Sequence, residues 1–426
     1  MENQKPGGRR RALLAGVAVL AVIGAAAAAY LTSPVPRQAA TTPAPALGQH
    51  LASAVERGEY VARAADCAPC HTAPDGQPFA GGLILKTPFG EMASPNITPD
   101  PATGIGGWSR EQFARAVREG MAPGLGELYP TMSYTSYTKM SDADIDALYA
   151  YLMSLDPVRA PRAAVALDFP FDQRWLLKGW RKLFFDNAEF QPDPSATDQV
   201  NRGAYLVQGP AHCAECHSPR TVFGAIDEDL RLAGGQIDGY WAPNLTPDPD
   251  TGLAAWSEAD LYAYLSGTGA PHGGAFGPMH DVVAEGTSHL TEDDLRAMAA
   301  YLARLAPVAN ASGEAMAHAQ AQASIARGKD AFQANCAACH RDSGAGVPDF
   351  APALAGHHAL RASADNIVMP ILTGLSDREG VVAMPAFLLP DETIADIANY
   401  VRGAIGGAHA ATATAEQVAA ARARLD

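Results

Sequence analysis

All six cysteines of this 426-residue chain fall in three Cys-x-x-Cys-His boxes. They are Cys67-Ala68-Pro69-Cys70-His71, Cys213-Ala214-Glu215-Cys216-His217 and Cys336-Ala337-Ala338-Cys339-His340. Two thiols at this spacing can each form a thioether to one vinyl group of a haem, and the adjacent histidine then lies under the ring to bind iron. Zinc would require two further ligands per box, and a dithiol redox pair would not require a histidine each time. Three boxes with no cysteine left over therefore predict three covalently bound haem c groups. Cys67, Cys70, Cys213, Cys216, Cys336 and Cys339 are the attachment points, and His71, His217 and His340 the first iron ligands.

A haem held by histidine alone leaves one iron face open to oxygen or peroxide, whereas methionine closes that face and raises the potential. A proline-flanked methionine follows each box: Pro130-Thr131-Met132, Pro278-Met279 and Met384-Pro385. Their equivalent places in the repeat predict Met132, Met279 and Met384 as the second ligands. Rivals are Met140 in the first repeat, His272 and His280 in the second, and His357 and His358 in the third; none of them recurs. His212 and His289 read as surface or supporting residues. No Gly-rich dinucleotide turn, second metal cluster or nucleophile pair suggests a substrate-oxidising site, so no residue is expected to be catalytic.

The elements that position these groups repeat as well. An Arg-Gly pair (Arg57-Gly58, Arg202-Gly203, Arg327-Gly328) reads as opening a helix before each box. After each methionine a helix start is signalled at Ser141, Thr291 or Asp391, with acidic residues in the first turn. These last helices carry Tyr151, Tyr301 and Tyr400, expected to pack where terminal helices cross. The first two repeats share the loop Pro95-Asn96-Ile97-Thr98-Pro99-Asp100-Pro101, which returns as Pro243-Asn244-Leu245-Thr246-Pro247-Asp248-Pro249. Each loop should wrap a haem edge before Trp108-Ser109 or Trp256-Ser257 caps a helix. The third repeat lacks it: 44 residues separate His340 from Met384, against 61 and 62 in the other two. The expected fold is mainly α, with three tandem cytochrome c-like domains at 46–160, 196–310 and 318–410.

Outside the repeats, Lys5 and Arg9 to Arg11 precede an apolar run from Ala12 to Leu31. At about 1.5 Å per residue this run would span the roughly 30 Å hydrocarbon layer, and the basic cluster would keep the N-terminus cytoplasmic. Residues 1–45 therefore read as a membrane anchor, or a signal segment, followed by a flexible Pro-rich tether. The haem domains would then face the periplasm from the inner membrane. In the 161–195 linker, Leu176, Trp180, Leu183 and Phe184 recur at helical spacing between Gln173 and Phe185, with Arg174, Lys178, Arg181 and Lys182 on the other side. This basic amphipathic helix is either an interdomain strut or a surface for lipid or a partner. The tail, 411–426, is alanine-rich. A formal net charge of -15 argues against nucleic acid as a partner.

Taken together, residues 55–405 resemble the triheme cytochrome c subunits of bacterial membrane-bound dehydrogenases, such as the alcohol, gluconate, sorbitol and fructose dehydrogenases. The boxes and the Pro-Asn-x-Thr-Pro-Asp-Pro loops carry the resemblance, with Tyr134-Thr135-Ser136-Tyr137 after Met132 and Ala275-Phe276-Gly277-Pro278-Met279. The resemblance implies an electron-transfer subunit that serves a large catalytic subunit of the pyrroloquinoline quinone, flavin (FAD) or molybdenum type, with or without a small third subunit. It implies delivery of electrons to ubiquinone and attachment of the complex to the membrane. Many such relatives have a cleaved signal peptide, whereas the apolar run here is long enough to remain.

Overall fold

The computed structural model describes residues 7–269, 271–310, 318–348, 350–376, 383–407 and 412–425, and they are mainly helical. The apolar N-terminal run lies in α1 (Gly7–Thr32), whose side chains from 21 to 30 are all exposed. The side chains of 7–13 and 15–20 lie outside the described residues, and among the described residues no helix is long and apolar enough to cross a membrane.

The first repeat is built from α2 (Ala54–Ala64), α3 (Arg110–Glu119) and α4 (Asp142–Ser154), with a hairpin of β1 (Ile84–Thr87) and β2 (Gly90–Ala93) between α2 and α3. The linker helix α5 spans Leu176–Phe184. The second repeat uses α6 (Asp198–Gln208), α7 (Glu258–Leu265) and α8 (Glu292–Leu302), with hairpin β3 (Gly235–Ile237) and β4 (Tyr240–Ala242). The third contains α9 (His318–Asn335), α10 (His358–Ala362), α11 (Asp365–Thr373) and α12 (Asp391–Tyr400), and α13 (Ala415–Ala423) closes on α12.

In every repeat the first helix crosses the last: α2 on α4, α6 on α8, α9 on α12. The glycine of each Arg-Gly pair lies at this crossing, inside the helix rather than at its start. A Cβ on Gly58, Gly203 or Gly328 would come within 1.9, 1.8 or 1.9 Å of the carbonyl oxygen of Ala147, Ala297 or Asp396. The partner helix presents Tyr151, Tyr301 or Tyr400 beside that glycine, as expected of packing residues. The caps follow the sequence signals at Ser109, Ser141, Ser257 and Thr291, each accepting a backbone N–H three residues on. At α12 the N-cap is Pro390, and Asp391 is instead the first helical residue, where its charge favours the helix dipole.

The first two repeats share one continuous core that includes Val61, Ile145, Leu148, Leu206, Leu295 and Met298, while Phe332, Ile367, Ile394 and Ile397 form a separate core in the third. Two expectations for the connecting segments change. The Pro-rich stretch is pinned, not loose: Gln38 N–H donates to the Asn187 carbonyl at 2.8 Å, Glu189 N–H to the Gln38 carbonyl at 2.9 Å, and Arg37 to the Thr138 carbonyl at 2.8 Å. Prolines deny it a ladder of its own, so its free backbone groups pair with the linker. The linker helix is also rotated from the expected orientation. Leu177 and Arg181 are its buried residues, and Arg181 lies over the rings of Tyr134 and Phe185 while donating to the Glu119 carbonyl. Trp175 and Leu183 are each 66% exposed. The helix is nevertheless a strut, because Trp180 Nε1 donates to the Phe223 carbonyl of the second repeat at 2.8 Å.

Candidate haem-binding site

The three box histidines have one geometry in common. Nδ1 of His71, His217 and His340 donates to the carbonyl of Pro95, Pro243 and Pro352 at 2.8, 2.7 and 3.1 Å. A carbonyl only accepts, so the proton is on Nδ1 and the lone pair is on Nε2, the nitrogen free to ligate iron. Burial holds all three imidazoles below the usual histidine range, against the opposing pull of these bonds, which keeps them neutral as a metal ligand must be.

In the first two repeats the acceptor is the opening proline of the repeated loop, and the loop is rigid for identifiable reasons. Asn96 accepts from Thr98 N–H at 2.9 Å and donates from Nδ2 to the Val158 carbonyl at 2.6 Å. Asn244 does the same with Thr246 at 2.8 Å and with the Val308 carbonyl at 2.7 Å. The asparagine therefore ties the loop to the chain just beyond the last helix, and the loop in turn aims the histidine. The Trp-Ser step after it caps α3 and α7, as the sequence suggested.

The cysteines are unpaired. Desolvation pushes the half-buried Cys213 and Cys216 thiols up to about 12, the reverse of the depressed thiolate of a dithiol redox centre. Among the described residues no group of three or more His, Cys, Asp or Glu side chains is placed to hold a metal ion. Neutral unpaired thiols in front of a histidine with a free Nε2 suit covalent haem.

Met132 and Met279 lie half-buried against the shared core together with Cys67 and Cys213, and Met384 against the third-repeat core together with Cys336. Met384 is held by a backbone bridge in which it exchanges hydrogen bonds with Leu375 at 2.8 and 2.9 Å. Met279 is the second residue of a short helix that Pro278 opens after Gly277, whose φ of +55° lets the loop turn against Tyr240. Of the rivals, Met140 is wholly buried core. His272 stacks on Trp256 at 4.6 Å; His357 is buried, and His358 half-buried, where the second and third repeats meet. His212 lies edge-on to Tyr137, and His289 is exposed.

Sequence reasoning missed the three proline carbonyls, which follow their histidines by 24, 26 and 12 residues. It also missed Glu215, the variable residue of the second box. Glu215 accepts from Thr135 Oγ1 at 2.7 Å and Ser136 Oγ at 3.0 Å and pairs with Arg220 at 2.7 Å. The Tyr-Thr-Ser-Tyr segment after Met132 is thereby docked on the next repeat's box. The only sequence signal was the acid inside one box of three.

A histidine aimed by a proline carbonyl behind a Cys-x-x-Cys pair, in a repeat whose first and last helices cross, is the arrangement of a covalent haem protein. The chain belongs to the cytochrome c family, which matches residues 55–156, 200–306 and 325–404. It is 42% identical over 398 residues to one of the subunits of nicotinate dehydrogenase of Pseudomonas putida, covering 90% of this chain but 33% of that protein. It thus spans about a third of that relative's length. It is 39% identical over 387 residues to the cytochrome c subunit of alcohol dehydrogenase (quinone) of Gluconobacter oxydans, covering 85% of this chain and 81% of that one. With the gluconate 2-dehydrogenase cytochrome c subunit of Pantoea cypripedii it shares 38% over 393 residues, covering 86% and 89%.

Proposed function

We propose that this chain is the electron-transfer subunit of a periplasm-facing, membrane-bound dehydrogenase, holding three haem c groups and passing electrons from a separate catalytic subunit to ubiquinone. The observation that carries the reading is the threefold recurrence of a neutral histidine, fixed through Nδ1 and free at Nε2, behind an unpaired Cys-x-x-Cys. When bound, haem supplies one-electron chemistry. The chain's part is to attach it through Cys67 and Cys70, Cys213 and Cys216, and Cys336 and Cys339, and to orient His71, His217 and His340. Met132, Met279 and Met384 would supply the second iron ligands and so exclude exogenous ones. Three haem domains follow from this assignment, one for each segment that the family matches.

The names of the relatives support the partner: a cytochrome c subunit of a quinone-type alcohol dehydrogenase, another of gluconate 2-dehydrogenase, and a subunit of nicotinate dehydrogenase. The catalytic partner would bring the pyrroloquinoline quinone, flavin or molybdenum cofactor. Attachment to the inner membrane would use the apolar run of residues 12–31 and the exposed aromatic side of α5 beside it, where Lys182 lies 4.6 Å from the Tyr30 ring.

The test is purification from native membranes in mild detergent, with mass spectrometry of the companions and a haem-to-protein count. Three haems per chain and a stoichiometric dehydrogenase subunit are expected. Copper–haem oxidase subunits, or no companion, would make the chain an oxidase subunit or a stand-alone carrier instead.

A further inference from the structure

The methionine loop of the second repeat is gripped from the third. His357, immediately before α10, is 6% exposed, lies edge-on to Phe276 at 5.3 Å and has Nε2 3.2 Å from the Gly274 carbonyl. The carbonyl can only accept, so Nε2 carries the proton and donates; Nδ1 is buried without a hydrogen-bond partner among the described residues. Contact is close enough that a Cβ on Gly273 would come within 2.3 Å of the imidazole. His358 N–H donates to the His272 carbonyl at 2.9 Å, which adds a second tie to the same loop.

The histidine side of this haem site is tied to the third repeat as well. Asn366 in α11 accepts from Trp241 N–H and donates to the Trp241 carbonyl, both at 2.9 Å. Trp241 lies in β4, just before Pro243, whose carbonyl aims His217. The strand behind the histidine and the loop before Met279 are therefore both hydrogen-bonded to the third repeat. Glu215 makes the corresponding tie from the second repeat to the segment after Met132.

We propose that His357 is a positioning residue for the second haem: through Gly274 it holds the Met279 loop in place, so that the third repeat sets this haem's ligation and potential. The inference goes beyond the electron-transfer role and rests on Met279 as ligand. A weakened or lost methionine ligand lowers the potential, because thioether sulfur favours the reduced iron.

The test compares His357→Phe, which keeps an aromatic ring but removes the donor, with His357→Gln, which can still donate to Gly274. Full-length proteins carrying their haems are titrated by spectroelectrochemistry, and the near-infrared sulfur–iron band of the oxidised state is recorded. His357→Phe should lower one midpoint and cost up to about one third of the band, on the basis of three His/Met haems, while His357→Gln should match the wild type. Unchanged potentials and band in His357→Phe would overturn the proposal, and so would an equal shift in both variants, which would mark a packing effect. If the wild-type band accounts for only two methionine-ligated haems, and Met279→Ala leaves it unaltered, the Met279 assignment fails and the proposal with it. None of these readouts depends on quinone or a dehydrogenase partner, so the electron-transfer reading stands or falls separately.

Discussion

Tyr60 of the first repeat donates its hydroxyl to Asp294 of the second at 2.6 Å, and the second repeat returns the same bond through Tyr205 and Asp144. Each tyrosine also accepts from the backbone N–H of its partner's helix cap, Thr291 or Ser141, at 3.0 Å. Tyr60 and Tyr205 follow their Arg-Gly pairs at the same spacing, so equivalent positions in two tandem repeats face each other about a local pseudo-twofold. This reciprocity explains how two repeats come to share one core. The third repeat has Asp330 where the tyrosine would stand, and its core is separate.

Removing one hydroxyl should loosen that interface measurably. Asp144 is fully buried and accepts from Leu47 N–H at 2.7 Å as well as from Tyr205. Tyr205→Phe should cost about 1–3 kcal/mol, the range for stranding a buried acceptor. Tyr60→Phe should cost less, because Asp294 keeps Arg202 at 2.6 Å. Denaturant titration of the single and double variants checks the ranking.

Helix crossing is the most intolerant feature. Gly203→Ala forces a methyl group to within 1.8 Å of the Ala297 carbonyl, and backbone cannot move aside as a flexible side chain would. Separation of α6 and α8 should cost roughly 3 kcal/mol or more. The expected result is a sharp fall in haem-loaded protein, read as covalent haem per chain after expression.

The axial assignment predicts one haem per substitution. Met132→His, Met279→His and Met384→His should each lower a single midpoint and remove one share of the sulfur–iron band, since imidazole stabilises the oxidised iron relative to thioether. Potentiometric titration of the three variants resolves which midpoint moves. A variant that moves none would strike that methionine from the ligand set.

Acid should weaken the junction between the second and third repeats. Burial lowers His357 to about 4, against its bond to Gly274; burial, with Arg361, His357, His272 and His217 nearby, lowers His358 to about 4. The unfolded chain takes up these protons near pH 6.5 and the folded chain does not, so stability is full above that value. It should decline between about pH 6.5 and 4, by up to roughly 1.4 kcal/mol per pH unit for each histidine. Unfolding midpoints at pH 7.5 and pH 5 provide the check, and His358→Phe should flatten the difference.

On the linker helix, strut and attachment surface are separable. Trp180→Phe loses the bond to Phe223 and should lower stability by about 1 kcal/mol. Trp175→Ser with Leu183→Ser touches only exposed side chains and should leave stability unchanged while releasing protein from washed membranes. Full retention on the membrane would leave α5 a strut alone.

Much of this was legible in the chain. Thioether and iron chemistry need fixed residue types at fixed spacing, so the three Cys-x-x-Cys-His boxes, the helix caps and the repeat order could be read directly. Arg181 was less legible: an arginine on a basic amphipathic helix reads as solvent-facing, yet cation–aromatic contacts with Tyr134 and Phe185 and a carbonyl at Glu119 bury it. The Pro-rich stretch reads as a tether because its composition cannot show a partner 150 residues away, such as Gln191 to Thr41.

By itself, then, the sequence determined the class of group proposed and the side chains proposed to hold it, because covalent attachment is read from local residue types and spacing. Only the tertiary structure decided how those side chains are held. The Pro95, Pro243 and Pro352 carbonyls carry no side-chain signature. The pairings of Tyr60 with Asp294, Glu215 with Thr135 and His357 with Gly274 join residues far apart in the chain, and they exist only once burial makes an unpartnered polar group too costly to leave.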